Sequence, residues 1–186
     1  MYTTILNVTT FLAVLTIITQ AFIVITLLAY AFKWKKYTNF FEKHALKIAL
    51  AISTFTILGP LFFSEIAKML PCKLCWYQRI FIFPVFVLLI TTFISKDHKG
   101  APKFILPLNI IGVLFSLYHY SQQIIRTINP ESDLITDCAV VGMTPSCSEF
   151  YVLKFGYITI PNMALTAGIA FILLMIMQIR YNKTQA

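Results

Sequence analysis

Residues 80–95 read IFIFPVFVLLITTFIS, an uncharged run that follows directly on PCKLCWYQR at residues 71–79. A membrane-spanning helix needs about 20 predominantly apolar residues, and Arg79 can lie near the end of one because its long side chain brings the charge to the interface. The whole chain is 59% hydrophobic and only 12% charged, whereas soluble domains are about a quarter charged. The sequence therefore predicts an integral membrane protein.

Four other uncharged stretches complete the predicted set of transmembrane helices. The first stretch lacks the basic n-region of a signal peptide, and Lys33, Lys35 and Lys36 follow it like a stop-transfer signal, so we expect it to remain as a helix. The predicted helices span residues 4–32, 46–66, 74–95, 104–125 and 157–179. They predict an all-α integral membrane protein, a four-helix transmembrane bundle plus one extra N-terminal transmembrane helix. We assign residues 1–33 to the extra helix and 34–186 to the four-helix domain.

The lysines and arginines predict the orientation of these helices. Five lie in residues 33–47, three in residues 96–103 and two in the tail, so ten of the fifteen are on one side of the membrane. Because short basic loops stay in the cytoplasm, we expect the N-terminus outside and the C-terminus inside. The outer loop at residues 126–156 and all cysteines then face the oxidising side. The net charge of +8 reflects this topology rather than nucleic-acid binding.

The four cysteines of the chain form two pairs. Cys72 and Cys75 follow Pro71 in the predicted first turn of a helix, whose N-terminus stabilises a thiolate and lowers its pKa, as thiol–disulfide exchange requires. Cys138 and Cys147 frame a short loop, where an exposed disulfide would be oxidising. Two dithiols on one side predict an electron relay. Structural disulfides and a zinc site with four cysteine ligands remain alternatives.

Two charged or ionisable residues accompany the first cysteine pair. Arg79 lies seven residues after Cys72 and four after Cys75, so all three share a helical face. A cation there can bind a lipid-soluble carbonyl acceptor and stabilise the anion formed on reduction. The alternatives are that Arg79 snorkels to the surface or pairs with Glu65. His119, in a predicted helix, is a candidate for delivering protons to a quinone, although hydrogen bonding between helices is the commoner role of such residues.

The run Cys72-Lys73-Leu74-Cys75-Trp76-Tyr77-Gln78-Arg79 resembles the signature of the DsbB family of disulfide bond formation proteins, especially its BdbC-like branch. The resemblance continues through Tyr118-His119-Tyr120 and residues 155–161, and it covers about residues 46–180. It implies a quinone-dependent protein-disulfide oxidoreductase of the bacterial plasma membrane. Such a thiol oxidase reoxidises a DsbA-like thioredoxin-fold protein outside the cytoplasm and passes the electrons to ubiquinone or menaquinone.

The resemblance also implies a role for each cysteine. Cys138 would form the mixed disulfide with the partner, Cys147 would release it through exchange with Cys72, and Cys75 would face the quinone beside Arg79. No metal is expected. Two other hypotheses stay open: a metal-binding or transport membrane protein that holds zinc or copper through the four cysteines, and a thiol reductase that carries electrons outward. The extra N-terminal helix is not part of the resemblance.

Overall fold

The computed structural model describes residues 2–129, 147–148 and 150–185. Within these residues the chain forms five helices, each long enough and apolar enough to cross a membrane. The helices are α1 (Tyr2–Ala31), α2 (Lys35–Leu61, continued by a π-helical turn at Phe62–Ile66), α3 (Lys73–Ser95), α4 (Ala101–Ile128) and α5 (Ile160–Thr184). The described residues contain no strand beyond an isolated bridge between Lys154 and Ile158. The prediction of an all-α membrane protein is confirmed.

The start of α2 differs most from the prediction. The helix begins at Lys35 rather than near residue 46, so the loop predicted at 33–47 is wrong for most of its length. Residues 35–47 contain no glycine or proline, and nothing in their sequence ends a helix at the membrane boundary. The chain reverses instead within residues 32–34, where Lys33 has a φ of 55°.

The alternating helix directions give the bundle two distinct ends. The lysine-rich end holds the C-termini of α1, α3 and α5, and there Asn182 Nδ2 donates to the His98 carbonyl at 3.4 Å. The cysteine end holds the N-termini of α3 and α5, with Cys72 and Cys147. We call the halves of the bundle at these ends the packed half and the cysteine half.

The packed half contains the main apolar core. Its fully buried side chains come from four helices and include Ala45, Leu89, Ile105 and Leu174, each with 0% exposure. Close helix contact nearer the middle depends on Gly168, because a Cβ there would collide with the Val113 side chain. Dense packing of this kind gives the bundle a rigid frame.

Helix α1 packs on α2 and α5. At the lysine-rich end Tyr30 donates its hydroxyl hydrogen to Glu42 Oε1 at 2.8 Å. Arg180 lies 3.6 Å from the same carboxylate and stacks over the Tyr30 ring at 4.7 Å. These contacts join α1, α2 and α5, so the N-terminal helix is an integral part of the bundle.

Candidate active site

The first cysteine pair lies at the start of α3. Cys72 is the N-cap residue, and its Sγ accepts a hydrogen bond from the Cys75 backbone N–H at 3.4 Å. The Cys72 thiol donates to Cys75 Sγ at 3.1 Å. The two sulfurs are therefore close enough for this dithiol to close to a disulfide with little movement.

Cys72 retains its proton in this arrangement. A hydrogen bond with Cys147 lowers the pKa of Cys72, but the hydrogen bond to Cys75 and burial outweigh it and raise the pKa to about 12. The lowered pKa expected at a helix N-terminus is therefore not found at Cys72. Because Cys72 donates to Cys75, negative charge in the reduced pair is favoured on the Cys75 sulfur.

The structure brings Cys147 to the first cysteine pair. Cys147 is buried in one small apolar cluster with Cys72 and Leu74, and it is a hydrogen-bond partner of Cys72. Cys138 lies outside the described residues, so its pairing with Cys147 stays a prediction. The contact between Cys147 and Cys72 joins residues 75 positions apart in the sequence.

His119 lies beside the same sulfurs. Its Nε2 is 3.0 Å from the Cys147 carbonyl oxygen and 3.6 Å from Cys72 Sγ. Because a carbonyl only accepts hydrogen bonds, Nε2 carries the proton. The buried Nδ1 has no hydrogen-bond partner among the described residues. His119 thus contacts the two cysteines, and its predicted contact with an electron acceptor stays a prediction.

Arg79 reaches across to α2 instead of the surface. Its Nη2 donates to the Pro60 carbonyl at 2.9 Å and its Nη1 to Ser64 Oγ at 3.3 Å, while the guanidinium lies 5.3 Å from the centre of the Trp76 ring. Ser64 belongs to the π-helical turn that ends α2, a feature often found at functional sites. Within the described residues no carboxylate lies close enough to form an ion pair with Arg79.

A cavity of about 270 Å³ extends from Cys75 and Arg79 into the bundle, which approaches the roughly 300 Å³ at the lower end of small-molecule sites. Helices α1, α2, α3 and α5 line it with mostly apolar side chains. A smaller cavity of about 20 Å³ is lined by Cys72, Cys75, His119 and Cys147. Cys75 lines both cavities and so lies between Cys147 and the larger space.

Sequence reasoning missed several residues of this site. Gln78 lines the larger cavity and donates to Ser116 at 3.1 Å, although its place within the cysteine motif was a usable signal. Pro60 and Ser64, the partners of Arg79, carry no such signal. A possible metal set also differs from the predicted four cysteines, since ligand atoms of Cys72, Cys75 and His119 lie within 4.8 Å of one another.

Known proteins with similar sequences carry names that fit a site built from cysteines. The family model described as "Disulfide bond formation protein DsbB" matches residues 42–178. "Disulfide bond formation protein C" of Bacillus subtilis is 43% identical over 125 residues, covering 67% of this chain and 84% of the relative. "Probable disulfide formation protein" of Coxiella burnetii is 35% identical over 136 residues, covering 73% and 88%. No solved structure matches the chain. The resemblance noted in the cysteine motif is thus confirmed over most of the sequence, and the chain belongs to the DsbB family of disulfide bond formation proteins.

Proposed function

We propose that this membrane protein is a thiol oxidase that takes electrons from a reduced DsbA-like thioredoxin-fold protein and passes them to membrane quinone. One observation carries the proposal: Cys75 lines both the small cavity shared with Cys147 and the large apolar cavity that contains Arg79. The printed names of the relatives, which concern disulfide formation, support the thiol chemistry. The partner and the quinone rest on the family resemblance and on the fit of the cavity.

The proposed relay begins at the loop cysteines. The partner's dithiol reduces a Cys138–Cys147 disulfide and becomes oxidised itself. The Cys147 thiolate then attacks Cys72 of a Cys72–Cys75 disulfide, which forms a Cys147–Cys72 bond and releases Cys75 as a thiolate. Attack of Cys138 on Cys147 restores the loop disulfide and releases Cys72. Two electrons have then moved from the partner to the pair at the start of α3.

His119 assists exchange at Cys72 in this scheme. Its protonated Nε2 lies 3.6 Å from Cys72 Sγ, where a hydrogen-bond donor stabilises the negative charge that forms as this sulfur leaves. The hydrogen bond to the Cys147 carbonyl holds the ring in that position. His119 therefore acts at the exchange step between the two cysteine pairs.

The large cavity fits a quinone ring because its walls are apolar and a fixed cation lies at one side. Re-formation of the Cys72–Cys75 disulfide releases two electrons, which a quinone bound here would take up together with two protons. Arg79, held by Pro60 and Ser64, places positive charge where an acceptor oxygen gains negative charge. Gln78 adds a polar group to the same α3 wall.

We further propose that the cysteine end faces the outside of a bacterial plasma membrane. Ten of the fifteen basic residues lie in residues 33–47, 96–103 and 180–183, toward the opposite end of the bundle, which favours the cytoplasm for that end. A tag added after Ala186 should then be protected from protease applied to the outside of intact spheroplasts. Digestion of the tag would show that the protein has the opposite orientation.

Steady-state turnover tests the function. The purified protein in detergent is mixed with a reduced DsbA-like donor and either ubiquinone or menaquinone, and donor thiols and quinol are measured together. We expect one quinol for each donor disulfide formed, and none with Cys72→Ser. Absence of turnover, with stoichiometric zinc bound by the Cys72, Cys75 and His119 cluster, would instead support the metal-binding hypothesis.

A further inference from the structure

We propose that α1 forms one wall of the quinone site and determines how tightly a quinone binds there. The family match begins at residue 42, so α1 lies wholly outside the matched region. The inference rests on the proposed function, because it assigns the large cavity to quinone. It gives α1 a direct role in substrate binding, in addition to anchoring the protein in the membrane.

One face of α1 lines the cavity. Leu12, Leu15, Thr16 and Thr19 all contribute, and their spacing of three, four and seven residues from Leu12 puts them on one side of the helix. The opposite side is exposed, as Val14 shows with 42% exposure. Only the cavity face of α1 is therefore available to a molecule bound beside α3.

A polar cluster fixes this face against α5 one turn beyond Thr16. Gln20 Nε2 donates to Asn162 Oδ1 at 3.3 Å and to Thr166 Oγ1 at 3.2 Å, and Gln20 Oε1 accepts from the Tyr157 hydroxyl at 2.8 Å. Such hydrogen bonds stabilise helix association in lipid. Thr166 itself lines the cavity, so the cluster holds α1 next to the site.

Contacts on both sides of the wall keep α1 in place. Toward the cysteine end, Leu12 lies against Gly59, where a Cβ would meet the Leu12 Cδ1 atom at 3.5 Å. At the lysine-rich end, the Tyr30 hydroxyl donates a hydrogen bond to Glu42. Cys75, Gln78 and Arg79 line the same cavity from α3. A quinone in the cavity thus has the reactive residues on α3 and a fixed surface on α1.

The test fills the cavity from the α1 side. Thr19→Phe adds a ring that the cavity of about 270 Å³ can hold, and Ile18→Phe places the same ring at a neighbouring position with 58% exposure, as a control. We expect Thr19→Phe to raise the KM for quinone about tenfold and Ile18→Phe to leave it within about twofold. Stoichiometric oxidation of the reduced donor by the disulfide form, without quinone, should be unchanged in both.

A second measurement needs no variant. A photoreactive quinone analogue is bound to the unaltered protein, illuminated, and its attachment mapped by peptide mass spectrometry, with excess quinone as competitor. Labelling within residues 12–19 that excess quinone prevents would support a place for α1 in the wall of the quinone site. Normal KM in Thr19→Phe, with no competed label on α1, would overturn the inference and leave the proposed function intact. Failure of the unaltered protein to reduce any quinone would overturn both.

Discussion

The two halves of the bundle differ in how completely they are packed. In the packed half, Leu89, Ile105 and Leu174 are fully buried in a continuous apolar core. In the cysteine half, two cavities open around Cys75, and His119 has a buried nitrogen with no partner among the described residues. The bundle thus combines a rigid frame in one half with open space and an unpartnered histidine nitrogen in the described residues of the other.

The largest effect is expected at Cys75, the cysteine that lines both cavities. Cys75→Ser removes the sulfur that closes the α3 disulfide, so turnover with donor and quinone should fall to the background rate. The helix should still form, because Cys72 remains as its N-cap. Circular dichroism and size exclusion would check the fold. Turnover above background in this variant would contradict the role of Cys75.

A large but incomplete loss is expected at Arg79. Arg79→Ala should lower kcat/KM for quinone roughly 100-fold, because one positioned donor to a developing oxyanion is worth about that much. Arg79→Lys keeps the charge and should be affected less. Donor oxidation without quinone should be equal in both variants and the unaltered protein. Equal loss of both half-reactions would show that Arg79 is structural.

His119 should affect exchange between the cysteine pairs. His119→Phe removes the donor 3.6 Å from Cys72 Sγ, and we expect reduction of the Cys72–Cys75 disulfide to slow about tenfold. His98→Phe, at the exposed lysine-rich end, is the matched control. Rapid mixing with reduced donor, followed by acid quenching and thiol counting, measures the step. A selective rise in the KM for quinone would instead put His119 at the acceptor, as the sequence predicts.

The smallest effect on turnover is expected in the packed half. Leu89→Ala removes a fully buried side chain and should lower the free energy of unfolding by about 2 kcal/mol, mainly through lost packing contacts. Its rate per folded molecule should stay normal. Unfolding in a denaturing detergent would measure the stability of the variant and the unaltered protein, and turnover would be normalised to the folded fraction of each. A strong loss of activity without loss of stability would mean that the halves are not separate in function.

The sequence is sufficient for the helices and for the centre of the site. Uncharged stretches, two of them extended past Lys47 or Arg79, identify all five membrane-spanning segments, and the motif at residues 72–79 contains Cys72, Cys75 and Arg79. The start of α2 is missed because a membrane helix can continue into water. The α1 wall is missed because it arises from packing between helices distant in the sequence. Local patterns do not encode such contacts.

A single turnover without donor tests most directly whether Cys72 and Cys75 pass electrons to quinone. Fully reduced protein carrying Cys138→Ser and Cys147→Ser is mixed anaerobically with quinone, and quinol and the Cys72–Cys75 disulfide are counted over time. We expect one quinol for each disulfide formed at α3, because each oxidation releases two electrons. Quinol formation that leaves Cys72 and Cys75 reduced, or no quinol at all, would contradict the claim that this pair is the electron donor to quinone.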